Sequence, residues 1–137
     1  MEWYSSLWPW TQLVGRVLFG LMILVHGSAH FTATESLAGY AASKGVPAAK
    51  PVVLVTGLMR VVGGLFILLG WHRFIGAGLV FLVLVPAAFI AHNFWKQADP
   101  TARANDMAHF FKDLALAGAA LFIACYAGSE WPMSLGQ

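Results

Sequence analysis

Four long apolar runs divide the chain, at about residues 11–31, 52–70, 74–92 and 107–127, and most polar residues fall between them. Each run is long enough to cross a hydrocarbon core of ~30 Å at ~1.5 Å per residue. The pattern predicts an all-α architecture, an integral membrane four-helix bundle in up-down order, forming a single transmembrane domain over residues 1–137. The first connection, TATESLAGYAASKGVPAAKP, has a pattern of its own. Thr34 suits an N-cap and Glu35 a first turn; Leu37, Tyr40, Ala41 and Lys44 recur at helical spacing, and Gly45 suits a left-handed stop before Pro47. A short interfacial helix is expected there. In the third connection, Asp99 followed by Pro100 reads as an N-cap and a first helical residue, so the last helix starts well before its apolar run. Arg103, Asp106, His109, Lys112 and Asp113 then lie on its opening turns.

The tryptophans agree with these limits. Trp3, Trp8 and Trp10 precede the first run, and Trp71, Trp95 and Trp131 follow the second, third and fourth, where an aromatic belt belongs. Small residues crowd RVVGG, GAGLV and LALAGAALFIA, which lets membrane helices approach closely. The connections at 31–51 and 93–106 carry Lys44, Lys50, Lys96 and Arg103, against Arg73 and Arg16 on the other side. By the positive-inside rule these two loops face the cytoplasm and both termini face outward.

Composition settles the class. Of 137 residues, 59% are hydrophobic and 10% charged, far below the roughly 25% charged residues of soluble domains. The single cysteine, Cys125, rules out an intrachain disulfide and a CxxC relay. A formal charge of +2, scattered along the chain, gives no nucleic-acid footprint. No basic region precedes the first run, which is expected to be a retained span rather than a cleaved signal.

A charge within a span costs ~2.5–3.5 kcal/mol on insertion scales, so each one needs a reason. Measured from the loop side at ~1.5 Å per residue, His30 lies at the boundary, His26 about 7 Å inside, Asp113 about 9 Å and Arg60 about 12 Å. His92 and His109 bracket the same boundary, and Lys112 lies beside Asp113. The other half has little beyond Arg16 and Arg73, which can snorkel. A pocket lined by His26, His30, Arg60, His92, His109 and Asp113 is expected at the loop-side end. Arg60 cannot shed its proton, and Asp113 is the acid at similar depth, so an Arg60–Asp113 ion pair joining helices two and four is predicted. His26 and His30, four apart, share a helix face. A metal or haem there needs further ligands from His92 or His109, whereas neutral histidines hydrogen-bonding in the pocket need none. No H-E-x-x-H or G-x-S-x-G motif identifies catalytic residues. A proton-coupled exporter would need a free buried carboxylate, which a paired Asp113 does not provide.

The segments GRVLFGLMILVHGSAHF, AASKGVPAAKP, GLMRVVGGLFILLGW, HNFWKQADP and HFFKDLALAGAALFIA, in this order and spacing, resemble the DoxX family of small bacterial and archaeal membrane proteins over about residues 13–127. The resemblance implies a multi-pass protein of the bacterial inner membrane found with redox proteins. Some relatives are small subunits of a thiosulfate:quinone oxidoreductase and others scaffold soluble redox enzymes. Relatives commonly have lysine near His30, glutamate near Arg60 and asparagine at Asp113, so in this chain acid and base have changed places.

The function expected from these readings is an accessory or anchor subunit of a redox complex that contributes to a quinone-binding pocket. A quinone is the cofactor such a pocket suits, and membrane lipid, a redox partner or a second copy are the expected partners. Two alternatives stand beside it. One is a scaffold subunit using Ala115, Gly118 and Ala119 as contacts; the other is an oxidoreductase subunit with haem or metal at the histidines.

Overall fold

The computed structural model describes residues 2–136, with side chains from residue 6 onward; the expected interfacial side chain of Trp3 lies outside that range. It contains five α-helices, α1 (Glu2–Thr32), α2 (Thr34–Ser43), α3 (Ala49–Leu69), α4 (Arg73–Ile90) and α5 (Pro100–Cys125), with a 3₁₀ turn at Phe94–Lys96. All but α2 are long and apolar enough to span a membrane. Their outward residues agree with that reading: Phe74, for example, is 69% exposed, a large apolar surface that lipid can cover and water would not favour.

Helix α1 begins some nine residues before the expected span and runs through Pro9. Pro9, inside the helix, lacks the amide hydrogen that would close one i to i−4 bond. Helix α2 is the expected interfacial helix, but Thr34 is not its N-cap. The capping position is Ala33, without a side-chain bond, and the Thr34 hydroxyl donates instead to the carbonyl of His30 at 2.7 Å, tying α2 to the end of α1. Gly45 takes the left-handed conformation expected of it. At α5, Asp99 caps as expected, its Oδ1 accepting from the Ala102 amide at 2.7 Å.

Helices pack in chain order, α1 on α3, α3 on α4 and α4 on α5, with α2 across the end of α3; no comparable packing joins α1 to α5. Ile23, Ile67, Ala77, Val80, Leu84, Ala117 and Ala120 form the core. Lipid tails are as apolar as these side chains, so association must come from close fit. Glycines supply it. Gly20 on α1 meets Gly64 on α3, while Gly27 sits against Arg60 and Val61 and Gly57 against His30 and Phe31; the two glycines of each helix are seven residues apart and so on one helix face. A Cβ at Gly57 would lie 2.5 Å from the Cβ of His30. Between α3 and α4, a Cβ at Gly63 would come 2.8 Å from the Gly76 carbonyl oxygen. In LALAGAALFIA, Ala117 and Ala120 pack in the core, whereas Gly118 has nothing within 4 Å of where a Cβ would stand.

Substituting Gly63→Ala should therefore lower stability in detergent by about 1–3 kcal/mol, through overpacking against α4. Gly78→Ala, whose added methyl meets nothing within 4 Å, should be neutral or slightly stabilising. Thermal unfolding of both variants checks the contrast, and an equal loss in both would refute the glycine-seam account.

Candidate functional site

The loop-side end holds a polar cluster with Asp106 at its centre. Asp106 is 8% exposed. Its Oδ2 accepts from Lys44 Nζ at 2.7 Å and Gln97 Nε2 at 2.6 Å, and its Oδ1 lies 3.2 Å from the Tyr40 hydroxyl and 3.6 Å from His92 Nδ1. The Tyr40 hydroxyl also donates to the Ala91 carbonyl at 2.8 Å, and Lys44 reaches Asn93 Oδ1 at 3.3 Å. One carboxylate thus joins α2, the end of α4, the 3₁₀ turn and α5. Burial alone would lower the pKa of Lys44, but the hydrogen bond and charge of Asp106 outweigh it and raise the pKa above the ordinary lysine value.

One two-turn step along α5, Asp113 is 3% exposed. His92 spans the two acids, with Nε2 3.7 Å from Asp113 Oδ2. Its ring stacks on that of His109 at 5.0 Å between centroids, and Lys112 Nζ lies 3.4 Å from Asp113 and 3.1 Å from His109 Nδ1. Phe89, Phe94, Trp95, Phe110 and Phe111 pack edge to face around the 3₁₀ turn, with Phe89–Phe110 centroids 5.2 Å apart, which fixes the turn on α5.

The structure brings together only part of the expected pocket. His26, Arg60, Lys112 and Asp113 line one cavity between α1, α3, α4 and α5, with apolar neighbours including Leu84 and Leu116. Its volume is ≈ 10 Å³, room for about one water. His92 and His109 stand beside it through Asp113. His30 does not: its Nδ1 lies 2.8 Å from the Val53 carbonyl and 3.3 Å from Thr56 Oγ1, turned toward α3. His26 is exposed and its Nδ1 is bonded to the Met22 carbonyl at 2.9 Å, so the i, i+4 histidines do not converge. Among the described residues no three His, Cys, Asp or Glu side chains are grouped to hold a metal ion.

The predicted Arg60–Asp113 ion pair is not formed. The two residues face the same cavity and Asp113 acts on Arg60 through its charge, but the charged group within ion-pair distance of Asp113 is Lys112, with the His92 ring alongside, and Arg60 Nε is buried without a hydrogen-bond partner. Equal depth on two helices brought them to one level; the turn of α5 about its axis directs the carboxylate toward α4. Nor do Arg16 and Arg73 snorkel. They are 5% and 4% exposed, and they hold the C-terminal segment against the bundle: Arg16 donates to the carbonyls of Pro132 at 3.0 Å and Met133 at 2.8 Å, and Arg73 to that of Ser129 at 2.9 Å.

The molecule is thus a bundle of four spans, with a short helix between the first two and a charged cluster at the loop side. The DoxX family model matches residues 11–93. The chain belongs to the DoxX family. The match covers the first three spans of this DoxX protein, including Tyr40, Lys44, Arg60 and His92, while Asp106 and Asp113 lie beyond it. No curated protein and no solved structure matches the chain.

Asp106→Asn should cost roughly 3 kcal/mol, because it leaves Lys44 as an uncompensated buried charge; adding Lys44→Met should recover part of the loss. Thermal unfolding of the single and double variants measures this, and additive losses would count against the pair. The pH dependence has a definite sign. A lysine whose folded pKa is raised stabilises fully below its unfolded pKa and loses that contribution as pH rises through the folded value. The clamp should therefore hold through neutral pH and release α2 only beyond the ordinary lysine range, seen as protease access to residues 44–50.

Proposed function

We propose that this DoxX protein is an accessory membrane subunit that anchors a redox partner through its loop-side cap. The observation that carries the reading is the Asp106 cluster. Both connections on the loop side, α2 and the 3₁₀ turn, are fixed to one buried carboxylate, a rigidity that a mere connection between spans does not require. A preformed surface lowers the ordering cost of binding. On its outside the cap exposes Trp95, Lys96, Arg103 and Phe111, an aromatic and basic mixture suited to an acidic partner. The charge count of the loops directs this face to the cytoplasm of the bacterial inner membrane.

A quinone head group needs far more room than ≈ 10 Å³. Quinone contact through His26, Arg60, His92, His109 and Asp113 would require α1 and α5 to part near Leu116. Docking of a partner on the cap requires no such change, and it is the reading preferred.

The test is purification from native membranes in mild detergent, with every stoichiometric companion identified. A soluble redox enzyme or respiratory component is expected at fixed ratio. Lys96→Glu combined with Arg103→Glu, both exposed, should reduce its recovery about tenfold, the effect of losing roughly 1.4 kcal/mol of complementary charge, without changing the melting temperature. Purification of the protein with itself alone would overturn the proposal.

A further inference from the structure

The terminal side holds a second feature that the loop-side cluster does not involve. Between α1 and α5, where the bundle lacks helix packing, lies an open groove of ≈ 580 Å³, within the range of small-ligand sites. Its walls are mostly apolar. Gly15 and Gly118 both line it, and a Cβ on either would meet nothing within 4 Å.

The polar groups of the groove lie at one end. Arg16 lines it; both terminal nitrogens are bonded to C-terminal carbonyls, but Nε is buried without a partner. One turn away, Gln12 Oε1 is buried without a donor. Arg73 stands close by, and Trp131 lies against both guanidiniums, 5.8 Å from Arg16 Cζ and 4.8 Å from Arg73 Cζ at its ring centre. No acid among the described residues pairs with either arginine. Two buried positive charges are thus met only by carbonyl dipoles and an aromatic face, whereas buried charges in proteins are ordinarily paired. The depth is also informative. A Cβ on Gly70 would come 2.9 Å from Arg16 Nη1, so Arg16 is level with the α3–α4 turn and Trp71, at the membrane interface. From there the groove runs inward to Phe19 and Gly118.

We propose that this groove binds an anionic glycerophospholipid with a hydroxyl-bearing headgroup, of the phosphatidylglycerol type. Its phosphate lies against the Arg16 guanidinium and compensates the Arg16–Arg73 charge, its headgroup hydroxyl lies toward the Gln12 amide, and an acyl chain runs inward past Phe19 and Gly118. Charge selects the class. An ammonium headgroup would be brought against two guanidiniums, and a neutral amphiphile would leave both charges as they are. Charge-assisted bonds to an arginine are the strong ones.

The test uses the full chain, exchanged into detergent until free of lipid and then offered phosphatidylglycerol, phosphatidylcholine or phosphatidylethanolamine in mixed micelles, with oleate and inorganic phosphate as separate probes. Bound lipid is counted by native mass spectrometry and melting temperature is followed in parallel. Phosphatidylglycerol should be retained and raise the melting temperature, and the other two lipids should not. Gly118→Leu, which fills the groove without touching a packed element, and Arg16→Lys should each weaken retention about tenfold. Should Arg16→Lys release the C-terminal segment and fail to fold, Gly118→Leu decides alone. Equal retention of phosphatidylcholine, or retention indifferent to Gly118→Leu, overturns the proposal. Protection by oleate or by phosphate alone, equal to that of phosphatidylglycerol, overturns it in favour of a fatty carboxylate or a free anion.

Discussion

In a bilayer, a charge withdrawn into the protein has no water to return to, and the arrangement of this molecule follows from how its few charges are met. At the loop side the answer is an acid at the centre: Asp106 accepts from Lys44 and Gln97 with the Tyr40 hydroxyl beside it, and in doing so determines where α2 and the 3₁₀ turn lie. At the terminal side the answer is backbone: Arg16 and Arg73 take carbonyls from a segment that has no regular structure of its own. Between the two ends, helices are held by shape alone, through glycines that admit a neighbouring backbone. Polar bonds therefore secure the two ends and close packing the middle, a division that lipid imposes because it offers no hydrophobic drive for helices to associate.

The features legible in the sequence were those with a period or a boundary. Four apolar runs, the Asp99 cap and the Gly45 stop each correspond to a single local requirement, and the structure meets them. The partnerships were less legible because depth along a helix says nothing about rotation around it. Arg60 and Asp113 share a level, yet the carboxylate is turned toward His92. The sequence did hold a signal for Asp106 that residue type alone obscured. Asp106, Phe110, Asp113, Ala117 and Ala120 are the buried positions of α5, spaced alternately four and three. That stripe places both acids on the face turned to the bundle, although Asp106 sits among the solvent-like residues of an opening turn. The partners of Arg16 and Arg73 had no signature at all. They are main-chain carbonyls, and any sequence supplies those.

The seam between α1 and α5 shows how one packing choice limits another. Helix α1 turns Gly20 and Gly27 toward α3, gaining its close contacts there. Its opposite edge keeps Gly15, Phe19 and the polar atoms of Gln12 and Arg16, with only open space before Gly118. At the loop end the same seam narrows around His26 and Asp113, where charged side chains fill the gap that glycines leave empty at the other end. A membrane helix cannot present an unfilled groove to lipid as a soluble protein presents one to water, because acyl chains occupy whatever apolar space is open to them. The terminal half of the seam is therefore completed by something other than this chain. The charges of Arg16 and Arg73, met only by carbonyls and an aromatic face, favour an occupant with polar groups at the level of the interface and apolar ones below.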